Sequence, residues 1–344
     1  MRKGIMATVV FLAGLQLALA AGAGEAAASW LEEAITSGRL VTASLRYEHG
    51  RFAESPDVPA GPEPVSTLAI AASAAPVPTE HVLSAAPAAE RPTAPPPDYG
   101  SVELDNATSF ALDPQTLMAE GLTLTLPADG PQILIIHTHS TEAYAQAPGD
   151  EYEESDYART TDERHSVIRV GDELAAVLEA KGLRVLHDRG LYDYPHYTGS
   201  YTRSGTAVAE YLKEYPSLRI VLDLHRDAIG TGDAVYRTEA EIPGMPCAQV
   251  MLLAGTGENG LEHPGWRENL KLALLLQASA DARRPTLMRP LAVRKERYNQ
   301  QLTPGSLILE VGSTGNTLQE AITAVHLFGE AVSPALLALV GPQA

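Results

Sequence analysis

The chain has 344 residues, 45% of them hydrophobic, with 43 acidic against 25 basic side chains and a formal net charge of -18. That length supports one large domain or two small ones with a sizeable core, and the acidic balance excludes nucleic acid as a partner held by general electrostatics. The single cysteine, Cys247, excludes an intrachain disulfide and a multi-thiolate zinc site, so a metal here must be held by His, Asp or Glu.

At the amino terminus, MRKGIMATVVFLAGLQLALAAGAGEA sets Arg2 and Lys3 before an apolar run from about Ile5 to Ala21, followed by small residues. This is the pattern of an export signal. About 17 residues at roughly 1.5 Å each approach the minimum that spans a bilayer. Residues 1–25 are therefore expected to be a cleaved signal peptide or an uncleaved anchor, with the anchor favoured and the rest of the chain extracytoplasmic. Residues 26–50 read as a short helical region. Residues 51–100 hold 11 of the 25 prolines among Ala and Ser, a composition with little to bury that favours extended conformers, so this stretch reads as a linker. Residues 101–130 read as a transition of short irregular pieces or strands.

From residue 131 to about 340, apolar runs alternate with amphipathic ones: ILIIH, SVIRVGDELAAVLEAKG, LRVLHD, RSGTAVAEYLKEYPS and LRIVLDLH. Such alternation predicts βαβ units, hence an α/β fold with a mostly parallel central sheet flanked by helices. Then come the strand AQVMLLAG, the helix GWRENLKLALLLQASADARR, the strand SLILEVG and a final helix over NTLQEAITAVHLFGEAVSPALLALV, expected to be interrupted near Pro334. The four-residue apolar cores predict strands buried on both faces, and Gly182 is placed to close the helix before it.

On this frame the polar residues collect at strand ends: His137 and His139 after ILII, His225 after VLDL, Glu310 after LIL. Ligands of open α/β sheets sit outside the carboxyl ends of strands, so these residues would meet in one crevice. Period-two alternation puts His137 and His139 on one face if the strand continues, with Glu142 in the turn beyond. Imidazole and carboxylate suffice for a catalytic zinc with three protein ligands and an open position. A carboxylate that is not a ligand, a role that suits Glu310, can move the proton of a water activated there. Each member has a plainer use, since a strand-end His is commonly a hydrogen-bonded core residue and Glu310 could cap a loop or pair with Arg226. The combination is what points to chemistry.

Other motifs are weaker. GTGENG, with Gly255, Gly257 and Gly260, matches G-x-G-x-x-G, but LEHPGW follows in place of a helix, so it reads as a flexible loop and not a dinucleotide cradle. Ser140, Ser200, Ser204 and Ser306 lack a G-x-S-x-G context. The acidic stretch GDEYEESDYARTTDERH reads as a solvated loop whose Glu163 and His165 could reach the crevice.

Taken together, HTHSTEAY, VGDELAAVLEAKG, DLHRDAIG, WRENLKLAL and RYNQQLTPGSLILEVGSTGNTLQEA resemble the stage II sporulation protein P (SpoIIP) family of cell-wall hydrolases over about residues 131 to 335. The resemblance implies a fold like that of the zinc-dependent N-acetylmuramoyl-L-alanine amidases. It also implies cleavage of the amide between N-acetylmuramic acid and the L-alanine of the stem peptide, with cross-link endopeptidase activity as well. By this analogy His139 and His225 are zinc ligands and Glu310 is the catalytic glutamate. The third ligand is Glu142, or His137, or a residue near Glu163 and His165, where amidases place a glutamate; Glu142 is favoured because it belongs to the motif. Arg226, Asn269, Asn299 and Gln300 sit in matching motifs as substrate-binding or supporting residues. The implied setting is peptidoglycan remodelling during engulfment, beside a SpoIID-type lytic transglycosylase and a SpoIIM-type membrane protein. Two other readings stay open: a non-catalytic wall-binding scaffold on a hydrolase fold, and a zinc peptidase acting on a small soluble substrate.

Overall fold

The computed structural model describes residues 98–229 and 235–341. The expected anchor, the short helical region and most of the proline-rich linker lie outside the described residues. Within them, seven strands form one sheet: β1 (Leu104–Asn106), β2 (Ile133–Ile136), β3 (Val185–His187), β4 (Ile220–Asp227), β5 (Val250–Gly255), β6 (Leu291–Arg294) and β7 (Ser306–Ser313). Their order is β1-β6-β5-β7-β4-β2-β3. Neighbours are parallel except β5 with β7. The carboxyl ends of β2, β4 and β7 therefore share one edge, while β5 and β6 end at the opposite edge.

Five helices flank the sheet: α1 (Pro114–Ala119), α2 (Val167–Ala180), α3 (Ser200–Glu214), α4 (Trp266–Asp281) and α5 (Leu318–Ala338). Ile133, Ile135, Leu222, Leu224, Leu307 and Leu309 join the main core with α2, α4 and α5, and Leu134, Ile136 and Val221 pack on the other face with Val208 of α3. Coverage on both faces is why the central strands read as unbroken apolar runs. The α/β fold with a mostly parallel sheet is the one the sequence predicts.

Local chemistry sets the helix ends. Ser166 caps α2 by accepting from Ile168 N at 3.2 Å, and Gly182, at φ +97°, follows its last turn. Helix α3 begins at Ser200, three residues before its periodic stretch, and stops at Glu214 because Tyr215 precedes Pro216, which disfavours helical backbone. Thr317 and Glu320 form a capping box at the start of α5. The expected interruption at Pro334 does not occur: α5 runs through it to Ala338. Proline removes one helical hydrogen bond, but Ala331, Val332, Ser333 and Leu336 around it are buried, and that packing holds the helix on course. Among the described residues α5 alone is long and apolar enough to cross a membrane, but more than half of it is buried and it serves the core.

Two strands carry no clear periodicity. LAVR is only four residues long, and β1 comes from the 101–130 segment, where Leu104, Asp105 and Asn106 pair with Leu291, Ala292 and Val293. The GTGENG segment is a packed turn at the edge opposite β2, β4 and β7. A Cβ at Gly255 would lie 2.1 Å from Glu296 O, and one at Gly257 would lie 2.2 Å from Leu261 O, so these glycines admit neighbouring backbone. Gly255→Ala should accordingly lower stability by about 1–3 kcal/mol, read as a drop in urea midpoint at unchanged slope. An unchanged midpoint would mean that the 296 backbone yields freely and that the glycine is there for another reason.

Candidate metal centre

Strand β2 ends at Ile136, and the next residues turn across the carboxyl end of β4. The hydroxyl residues of HTHSTE fix that turn. Thr138 donates its N–H and its hydroxyl to the two oxygens of buried Asp223, each at 2.7 Å. Ser140 Oγ donates to Asp193 Oδ1 at 3.0 Å, and Thr141 donates through N at 3.1 Å and Oγ1 at 2.6 Å to the same buried carboxylate. Beyond the turn, Tyr144 donates its hydroxyl to Val311 O at 3.0 Å and Arg226 donates to Ala143 O at 2.9 Å and Ala158 O at 3.0 Å. His139 and Glu142 are thus displayed by a turn whose other polar side chains are engaged elsewhere.

His139, Glu142 and His225 come together, each buried, with one donor atom apiece all within 4.8 Å of one another. His139 Nδ1 lies 3.4 Å from Glu142 Oε1, and His225 Nδ1 lies 3.3 Å from Glu142 Oε2. Ligands about 2.1 Å from a tetrahedral zinc stand roughly 3.4 Å apart, the spacing of each histidine from the Glu142 carboxylate. His139 Nε2 is buried without a hydrogen-bond partner, which suits a metal-ligating imidazole. His225 Nε2 lies 2.9 Å from Asp223 Oδ1, off the alignment of a good hydrogen bond but close enough for strong charge attraction. That arrangement is the carboxylate support expected behind a candidate ligand histidine.

The electrostatics follow from this packing. Burial alone would lower the His225 pKa, but Asp223 and Glu142 on its two sides raise it well above the usual value. Burial works to raise Glu142, yet His139, His225 and Arg226 hold it well below the carboxylate range. His139 is lowered, chiefly by burial, with Glu142 opposing. Glu310 faces His225 in register across β7 and β4. Its pKa is pushed up to about 8 by burial first and then by Asp227, and its Oε2 is buried without a partner.

His137 is not in the cluster. The strand does not continue past Ile136, so the alternation that would pair His137 with His139 breaks, and the two rings take different partners. His137 Nδ1 lies 2.8 Å from Leu224 O and its Nε2 lies 2.8 Å from His187 Nε2, beneath α2, where Gly171 leaves room for both rings. The carbonyl requires His137 to donate from Nδ1, so it ties β2 to β4. Glu163 pairs with Arg189 at 2.8 Å on the surface, away from the three.

Of the supporting residues, Asn269, Asn299 and Gln300 hydrogen-bond to the backbone of neighbouring elements, while Arg226 touches the centre itself. Asn269 donates to Gln300 O at 2.8 Å. Gln300 accepts from Gly255 N at 2.8 Å and donates to Leu253 O at 3.0 Å, completing the end of β5. Asn299 donates to Tyr201 O at 2.7 Å and so pins the first turn of α3. Arg226 stands behind Glu142, to which its N–H donates at 3.2 Å. Sequence reasoning missed Asp193, Asp223, Arg159 and Tyr197. Tyr197 stacks on His139 with centroids 4.6 Å apart, and Arg159 Nη2 lies 3.5 Å from Glu142 Oε1. Asp223 had a signal, since it stands two residues before His225 on the same strand face; the other three sit on loops. The acidic stretch is not wholly a solvated loop, because Ala158 and Thr160 are buried against the turn.

The family model described as stage II sporulation protein P (SpoIIP) matches residues 85–333. Stage II sporulation protein P of Bacillus subtilis (strain 168) is 27% identical over 258 residues, covering 70% of this chain and 60% of that protein. The chain thus matches less than two thirds of that relative's length. Similar solved structures include an N-acetylmuramyl-L-alanine amidase, Ami1, from Mycobacterium smegmatis, at 14% identity and a TM-score of 0.37, covering 63% of this chain and 100% of that one. Another is the CwlD amidase from Clostridioides difficile in complex with the GerS lipoprotein, at 12% identity and a TM-score of 0.36, covering 60% and 98%.

The Glu310 environment sets a pH test. With its pKa raised to about 8 from an ordinary 4.5, folded protein keeps a proton that unfolded protein releases, so a stability cost grows between those two pH values and is full above the higher one. Metal-free Glu310→Gln should match the wild type near pH 4 and exceed it at pH 9 by on the order of 5 kcal/mol, measured by urea unfolding. A difference that does not change with pH would contradict the buried, proton-holding carboxyl.

Proposed function

Because the chain belongs to the stage II sporulation protein P family, we propose that it is a zinc-dependent peptidoglycan hydrolase that cleaves the amide between N-acetylmuramic acid and the L-alanine of the stem peptide. The observation that carries this reading is the buried His139, Glu142 and His225 set beside the unpartnered carboxyl of Glu310. Those three residues would hold the ion, which supplies Lewis-acid polarisation of the amide and an acidified water. Glu310 takes the water's proton and delivers it to the leaving nitrogen, a task for a carboxyl whose pKa lies near the working pH. A divalent cation nearby would favour its ionised form, as a base requires. Asp223 orients His225, and Tyr197 and the hydroxyl-anchored turn orient His139.

The same centre would serve a cross-link endopeptidase, since that bond is also an amide. Family membership alone supports placing the enzyme in the cell envelope during sporulation, beside a SpoIID-type transglycosylase and a SpoIIM-type membrane protein. The intact ligand set disfavours a non-catalytic scaffold.

Full-length protein incubated with purified sacculi should release free stem peptides and leave glycan lacking them, identified by mass spectrometry. Chelator should stop the release and zinc should restore it. Glu310→Gln should lose at least about 10²-fold in rate while keeping zinc, whereas His225→Ala should lose both. Release that survives chelation would sink the metal assignment, and no release, even from transglycosylase-trimmed strands, would favour the scaffold.

A further inference from the structure

Acidic groups crowd this centre: Glu142, Asp193, Asp223 and Glu310 all lie at or beside it. Beside the ion proposed above, an amide oxygen that gains negative charge there is stabilised further by a hydrogen-bond donor held ready for it. Two arginines are close enough to matter, and their hydrogen bonding separates them. Arg226 is 5% exposed, and its Nε and Nη2 are committed to the carbonyls of Ala143 and Ala158. Arg159 has a side chain 18% exposed, and its backbone pairs with that of Glu142 across an antiparallel bridge. One arm, Nη1, is tied to Asp193 and to Thr141 Oγ1, the latter at 3.2 Å. The other arm, Nη2, makes only a long contact of 3.5 Å to Glu142 Oε1. The guanidinium carbon stands 4.8 Å from the centre of the Tyr197 ring, which itself stacks on His139.

The guanidinium is therefore fixed by a buried carboxylate and an aromatic face, with one arm weakly engaged at the reacting end. We propose that Arg159 is a catalytic residue, donating a hydrogen bond from Nη2 to the carbonyl oxygen of the scissile amide as that oxygen becomes an oxyanion. This rests on the amide-hydrolase reading above. In the step, the water oxygen bonds to the carbonyl carbon and the C=O π pair moves onto oxygen, where the Arg159 N–H meets it. The pair then returns, the C–N bond breaks, and the nitrogen leaves with the proton carried by Glu310. Arg159 stays protonated throughout, as a guanidinium does. Asp193 is a positioning residue that fixes the fork.

The test compares full-length wild type with Arg159→Gln, Arg159→Lys and Arg159→Gly on a soluble disaccharide-peptide, with zinc affinity of each measured by competition titration. The expected result for Arg159→Gln is a kcat lower by about 10²–10³-fold with KM within about threefold. Zinc affinity should be unweakened in Arg159→Lys, which keeps a cation against Asp193, and added guanidinium should restore part of kcat in Arg159→Gly. A kcat within about fivefold of wild type, a loss confined to KM, or zinc affinity falling in step with kcat in Arg159→Lys would overturn the assignment. The last of these is what a purely structural hold on Glu142 produces. A wild type that turns over while its variants keep pace overturns Arg159 alone; a wild type that releases no stem peptide with any metal overturns the amide-hydrolase reading and this proposal with it.

Discussion

Two buried carboxylates, Asp223 and Asp193, hold the turn after β2, and the rest of the centre depends on that hold. Asp223 accepts both donors of Thr138 while lying against His225, so one side chain sets the position of the turn and of the histidine on the next strand. Asp193 takes the hydroxyls of Ser140 and Thr141 and the guanidinium of Arg159. Buried carboxylates are stable only when their oxygens are satisfied, and here the donors come from Thr138, just before His139, and from Ser140 and Thr141 between the two candidate ligands. The order histidine, serine, threonine, glutamate is thus a display device, with the hydroxyls turned inward and His139 and Glu142 left to face His225.

The sheet supplies the second constraint. Reversal between β5 and β7 gives the central strand β7 an antiparallel neighbour on one side and parallel β4 on the other. In-register pairing of His225 with Glu310 follows from the parallel side, which places the candidate base on the same pleat as a candidate ligand. Such placement on strands keeps catalytic groups in fixed relation more firmly than loops can. The loops then contribute what strands do not, namely the stacked Tyr197 and the cation of Arg159.

Much of this architecture is legible in the amino-acid sequence. ILII, VLDL and LIL announce buried strands, and the polar residues that end them mark the functional edge. Period-two reasoning fails at His137 because it assumes that β2 continues, whereas the Thr138 to Asp223 contact ends the strand early. Asp193, Arg159 and Tyr197 are hidden for a physical reason. They lie on irregular segments that carry no periodicity, and the partners of Asp193 are 34 to 53 positions away, a pairing that only the folded chain reveals. Pro334 shows the complementary case, in which a sound local rule yields to burial along a long core helix.

The most direct test of the account is anomalous diffraction at the zinc edge from crystals of the full-length protein grown with equimolar zinc. The account predicts one peak per chain, bonded at about 2.0–2.2 Å to His139, Glu142 and His225, and its loss in Glu142→Ala. A peak at His137 and His187, or none at the three residues, would contradict it.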